Sequence, residues 1–186
     1  MDAFESLWGS APTAAAFRAH LCALHGLPVD TTALPAPTSI RAFHDCEYHT
    51  YRVVQPGMAG AAQVAYCFDR KPSCTSSAAA EEKESKGQHE RLALGAVHVT
   101  GDASPLRTWQ LPHNLQLDHT GRAVIQALGE PERKGGASVA GPASANASSG
   151  VWMAWDRLGV QVELCATDWE QPDARIREIT LYTPTK

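Results

Sequence analysis

The chain of 186 residues is long enough for one domain of ordinary size, since domains usually contain roughly 100 to 200 residues. Hydrophobic residues make up 44% and charged residues 19%, which excludes a disordered or fibrous protein. The formal net charge is -4 and the lysines and arginines are scattered, so we expect no basic surface of the kind that binds nucleic acid.

The first predicted helix begins at Thr13, a residue type favoured at helix N-termini, and ends before Gly26. Its apolar face carries Phe17, Leu21 and Leu24. The second begins at Thr120 and ends at Gly129, with Pro131 just beyond. Its apolar face carries Val124, Ile125 and Leu128. Each helix therefore has one apolar face to bury.

Three strands are predicted after each helix. In the first half they are an aromatic segment at 43–54, an alternating segment around Val64, Tyr66 and Phe68, and the pattern Leu94-x-x-Val97-x-Val99. In the second half they are 151–158, 160–165 and Ile176-x-x-Ile179-x-Leu181. The matching order and spacing indicate an internal duplication.

The predicted fold class is α+β, with a tandem αβββ arrangement in a single domain. The half-repeats cover about 10–100 and 118–184, and flexible insertions lie at about 71–90 and 135–150. The links between strands lack helical patterns, so an antiparallel sheet is expected. Both helices should pack on one face of it and leave the other face to solvent or a partner.

The second half resembles two known families. The segments that carry the resemblance are Leu128-Gly129-Glu130-Pro131, the aromatic strand 152–155, Leu158-Gly159-Val160-Gln161-Val162 and the closing strand 176–182. This order resembles the repeat of the beta-lactamase-inhibitor-like fold of small bacterial outer-membrane assembly lipoproteins, and is also similar to the eukaryotic phagosome assembly factor family. The resemblance, mainly over 120–182, implies a non-enzymatic fold that binds other proteins.

The cysteines and the N-terminus indicate a cytoplasmic protein that is not embedded in a membrane. Five cysteines form an odd set without a C-x-x-C pair, which disfavours a disulfide framework and a thiolate zinc site. The first residues lack the basic and apolar regions of a secretion signal, and no segment reaches the roughly 20 apolar residues of a membrane span.

The densest set of possible metal ligands or catalytic groups lies at 44–49. On a strand, His44 and Cys46 point to one face and His49 to the other, so at most two soft ligands converge locally. A metal-dependent enzyme would need these three residues and His98 to meet in the fold. We therefore expect no catalytic residue, no metal and no cofactor.

Aromatic residues carry the functional prediction. Trp152 and Trp155 lie three apart, so on a strand they point to opposite faces and one of them leaves the core. With Tyr48 and Tyr51 they are predicted to form the contact surface of a protein-interaction or assembly module, unless a loop covers them. The alternative is a small-ligand or lipid carrier, which needs a deep apolar pocket between sheet and helices.

Overall fold

The computed structural model describes residues 4–31, 33–54, 60–71, 91–101, 110–136, 150–171 and 173–185. Each half of the chain contributes one helix followed by four strands. The elements are α1 (Ala15–Leu24), β1 (Ser39–Ala42), β2 (Cys46–Val53), β3 (Ala62–Lys71), β4 (Arg91–Gly101), a 3-10 turn (Pro112–Asn114), α2 (Gly121–Leu128), β5 (Arg133–Gly135), β6 (Trp152–Trp155), β7 (Val160–Leu164) and β8 (Ile176–Tyr182).

All eight strands form one antiparallel sheet in the order β1-β2-β3-β4-β8-β7-β6-β5, which confirms the expected α+β class and the antiparallel pairing. The prediction of three strands per half is wrong by one in each half. β1 and β5, with four and three residues, lie at the two edges of the sheet and are too short to show an alternating pattern. The expected insertions lie almost wholly outside the described residues.

The helix ends follow the sequence signals only in the second half. The Thr120 hydroxyl accepts a hydrogen bond from the Ala123 N–H at 3.3 Å, so it caps α2 as predicted. Gly129 ends this helix with a φ of 82°, which glycine adopts without strain. In the first half, the cap position is Ala14 and no side chain caps α1, so the prediction for Thr13 is wrong.

Both helices pack on the same face of the sheet, the covered face. Phe17 of α1 contacts the Tyr66 ring edge-to-face, with centroids 4.9 Å apart. At the end of α2, Trp155 Nε1 donates to the Gly129 carbonyl at 3.0 Å. Tyr66 and Trp155 lie in one row of the sheet register, joined by Val97, Leu181 and Val160. One hydrophobic core therefore serves both halves.

The segment before α1 also joins this core. Phe4 and Leu7 are 3% and 1% exposed, so the N-terminal residues dock on their own sheet. Neither described helix has the length and apolar character needed to span a bilayer.

Candidate functional site

The open face of the sheet, opposite both helices, carries a groove in the first half of the molecule. Its volume is about 460 Å³. Side chains from five adjacent strands and the turn after β1 line it: Ser39, Arg41, Phe43, Tyr48, Thr50, Gln63, Ala65, His98, Thr100 and Glu178. These ten residues define the groove. Their side chains lie together because alternate residues of neighbouring strands share a face of the sheet.

A histidine and a glutamate from strands that are distant in sequence meet in the groove. His98 Nδ1 of β4 lies 2.7 Å from Glu178 Oε1 of β8. Because a carboxylate can only accept, Nδ1 carries the proton and donates it. The Thr180 hydroxyl donates to the same carboxylate oxygen at 3.1 Å. The hydrogen bond from His98 lowers the pKa of Glu178, so the carboxylate is ionised at neutral pH.

Tyr48, which lines the groove, has two thiols beside it on the open face, Cys46 and Cys67. Hydrogen bonding with the Cys67 thiol, together with burial, raises the pKa of Tyr48. Burial and the neighbouring Cys67 raise the pKa of Cys46 to about 11. Since the thiolate is the nucleophilic form, this environment makes Cys46 a poor nucleophile at neutral pH.

The open face of the first half also carries two arginines. Arg41 on β1 pairs with Tyr48 of the open face, and Arg52 on β2 alternates with the buried residues Tyr51 and Val53. Within the described ranges neither arginine forms an ion pair. Their charges are therefore available to a ligand or partner.

The open face of the second half is different, because its charged groups bind each other. Arg133 of β5 donates two hydrogen bonds to Asp156, at 2.5 and 2.7 Å. The Tyr182 hydroxyl donates to the same carboxylate at 2.7 Å. The bonds from Arg133 and Tyr182 lower the pKa of Asp156 to about 2. Arg177 and Glu163 form a further ion pair at 3.0 Å.

The four aromatic residues selected from the sequence do not share a surface. Tyr51 and Trp155 are 4% and 2% exposed in the core on the covered face, so we remove both from the candidate contact surface. Tyr48 and Trp152 are half-buried on the open face. They stand on β2 and β6, five strand positions apart, which separates them by about 24 Å.

The possible metal ligands also lie apart. His49 points to the covered face, where its Nε2 lies 2.5 Å from Glu47 Oε1 and its ring packs against Phe68. Cys46 and His98 are on the open face, and His44 is exposed in the turn between β1 and β2. Across the described ranges, no three histidine, cysteine or acidic side chains are grouped to hold a metal ion.

Sequence reasoning missed Arg41 and Glu178. The alternation along β8 could have assigned Glu178 to the open face, but only the pairing of β4 with β8 places it beside His98. Arg41 lies on the short strand β1, which shows no alternation. In the comparisons with known proteins, no family model, no curated protein and no solved structure matches the chain.

Proposed function

We propose that this protein is a non-catalytic protein-interaction or assembly module whose contact surface is the open face of the first half. The observation that carries the proposal is the groove, whose rim combines tyrosine, phenylalanine and arginine. Tyrosine and arginine are enriched among the residues that dominate binding energy at protein interfaces. Arg41, which forms no ion pair among the described residues, further supports the proposal, because charges that are unpaired in the free protein can pair with those of a partner.

The partner in this proposal is another protein, and the setting is the cytoplasm. The acidic net charge of -4 supports a protein partner over nucleic acid. The cysteines at 22, 46, 67 and 165 are free thiols, which supports a reducing compartment.

We also propose that the two halves arose by duplication, as the matching order and apolar spacing of their elements indicate. The resemblance to the beta-lactamase-inhibitor-like repeat and to the phagosome assembly factor family implies in addition a fold that binds other proteins. The central strand pair supports the duplication. Val97 pairs with Leu181, and Val99 pairs with Ile179. If Val97 corresponds to Ile179 and Val99 to Leu181, as the sequence pattern indicates, exchanging the halves reproduces the same pairing. Superposition of the two halves in an experimental structure would test the proposal, since unrelated strand paths would contradict it.

A carrier of a small polar ligand is the second candidate. The volume of the groove falls within the roughly 300 to 1,000 Å³ typical of small-molecule sites. The groove lies on the face opposite the helices, and eight of its ten lining residues carry a polar side-chain group that can hydrogen-bond to a polar ligand. Native mass spectrometry of protein purified from cells would detect a retained ligand by its added mass.

The test of the main proposal is affinity capture with matched variants. The tagged protein is compared with Arg41→Glu/Tyr48→Ala in the first half and with Arg157→Glu/Trp152→Ala in the second. We expect the first variant to lose partners that the wild type retains and the second variant to keep them. Thermal unfolding establishes that both variants fold.

Loss of partners only with the second-half variant would instead favour the surface around Trp152 that the sequence indicated. Identical partners for the wild type and both variants would contradict binding by the open face.

A further inference from the structure

We infer that the partner contributes an extended segment, with acidic side chains at alternate positions, that adds as a strand to the free edge of β1. This inference rests on the proposed function and specifies how the partner binds. Three features of the first half support it: the free backbone groups of β1, the two arginines, and an exposed apolar side chain on the opposite face of the same strand.

Among the described strands, β1 is the first of the sheet and pairs with β2 alone. The Phe43 N–H donates to the Cys46 carbonyl at 2.8 Å, so these two residues form a hydrogen-bonded pair. Hydrogen-bonded pairs alternate along an antiparallel ladder, which makes Arg41 and Ser39 the next ones. The N–H and C=O groups of Ile40 and Ala42 therefore point away from β2, toward an added strand.

The two arginines favour acidic residues in the added strand. Arg41 is opposite Tyr48, and Arg52 lies four residues beyond Tyr48 on the same face of β2, about 13 Å further along. The one carboxylate among the residues that line the groove, Glu178, already accepts hydrogen bonds from His98 and Thr180. An added strand with acidic residues at every second position would place one of them beside Arg41 and the others on the same face of the sheet as Arg52, which lies one strand further from the edge.

On its other face, the added strand would contact Ile40. This residue points to the covered-face side of β1, where it is 55% exposed. A segment that alternates acidic and apolar residues therefore meets arginine on one face and an isoleucine side chain on the other. Strand addition of this kind obtains affinity from main-chain hydrogen bonds and specificity from alternate side chains.

The charge on β1 favours this occupant over a second copy of the chain. Edge-to-edge pairing of two β1 strands would bring the arginines of both copies onto one small interface, where like charges repel. At the opposite edge of the sheet, the arginine of β5 is already bound to Asp156. The lysine of β5, Lys134, lies over the Trp169 ring at 5.8 Å. Both cations of the β5 edge therefore have a partner within the chain, whereas Arg41 at the β1 edge has no ion pair among the described residues.

The probe for this inference is the capped peptide Glu-Val-Glu-Val-Glu-Val-Glu, with affinity measured by isothermal titration calorimetry on the full chain. Replacing every glutamate by glutamine should weaken binding by at least roughly tenfold, as should Arg41→Glu in the protein. The matched protein control is Arg18→Glu, an exposed arginine on α1, which should leave the affinity unchanged.

Backbone pairing is tested on the peptide, so that the protein is left intact. One version is N-methylated at the valines and the other at the glutamates. Because only alternate N–H groups of an added strand face β1, one version should lose binding and the other should keep it. Equal affinities of the two versions would overturn strand addition, and an unchanged affinity of the glutamine peptide would overturn the acidic character of the segment.

Affinity capture and peptide binding together distinguish a failure of this inference from a failure of the proposed function. If affinity capture depends on Arg41 and Tyr48 while the peptide does not bind, the partner uses the groove without adding a strand. If capture does not depend on the first half, the proposed function is itself wrong. Sedimentation of the free protein as a dimer that Arg41→Ala strengthens would identify a second copy as the occupant and overturn the inference.

Discussion

The two halves of the sheet have the same order of elements but place their polar groups differently. In the second half, Arg133, Asp156 and Tyr182 bind each other on the open face, and the buried covered-face residues of its described strands are apolar. In the first half, the open face leaves Arg41 without an ion-pair partner in the described ranges, and the covered face buries two histidines.

This difference separates polar groups that support the fold from those available for binding. A buried or paired group has exchanged water for a protein partner, and its loss leaves the partner unsatisfied. A polar group that is unpaired in the free protein can still exchange its bound water for a contact with another molecule. On the proposed function, the paired groups of the second half contribute mainly to stability, and the unpaired groups of the first half are those that a partner would contact.

The largest expected difference comes from His20, 7% exposed under α1 in the first half. Its Nε2 lies 2.7 Å from the Tyr66 hydroxyl, and burial lowers the pKa of His20 from 6.5 to about 4. Between these values the unfolded chain binds the proton and the folded protein does not. The free energy of unfolding should therefore fall by about 3 kcal/mol as the pH decreases from 6.5 to 4.

Urea unfolding across this pH range measures the effect. His20→Gln should remove the largest part of this pH dependence, whereas His44→Gln, at an exposed position in the turn between β1 and β2, should retain it. Parallel curves for the wild type and His20→Gln would show that His20 is not the group responsible.

The sequence predicts which face of a strand or helix a residue occupies, but not which residues from distant elements meet. The alternation of Val160, Val162 and Leu164 predicted a strand and its buried face, which the structure confirms. The period of two also places Tyr48 and Tyr51 on opposite faces, so their assignment to one surface was an avoidable error. His20 lay on a predicted helix, but its position alone did not reveal the tyrosine that it would meet.

The groove could not be predicted because it depends on which strands become neighbours. The bond between His98 and Glu178 joins residues 80 positions apart in sequence. Local periodicity reports the face of each residue and carries no information on the pairing of β4 with β8. The short edge strand β1, with four exposed residues, gave no periodic signal, although it provides Arg41 and the free backbone groups.

The next largest effect should come from Trp155→Phe in the second half. This change removes the hydrogen bond to the Gly129 carbonyl at the end of α2 and leaves a small void in the core. A loss of about 2 kcal/mol is expected. Trp152→Phe on the open face of the same strand should cost less, because Trp152 is only half-buried. Equal losses in denaturant unfolding would contradict the assignment of Trp155 to the core.

A pair of tyrosine variants directly compares the first-half and second-half parts of the open face. Tyr182→Phe removes a hydrogen bond to Asp156 and should cost about 1 kcal/mol of unfolding free energy. Tyr48→Phe removes a hydrogen bond with a thiol, a weaker partner, and should cost less. A larger loss for Tyr48→Phe would mean that the open face of the first half is also built for stability.

The smallest effect on stability is expected for Arg41→Ala. Since Arg41 is exposed and has no ion pair in the described residues, the free energy of unfolding should change by no more than about 0.5 kcal/mol. The same variant should weaken partner binding, most clearly at low salt, where exposed charges are least screened. A stability loss above 1.5 kcal/mol, measured by denaturant unfolding, would remove Arg41 from the binding surface.

Hydrogen exchange of the complex, formed with a partner recovered by affinity capture, tests the binding surface most directly. Binding to the first half should slow exchange in 39–53 and leave β6 and β7, at 152–164, at the rates of the free protein. Protection confined to 152–164, or to the helices on the covered face, would contradict the account.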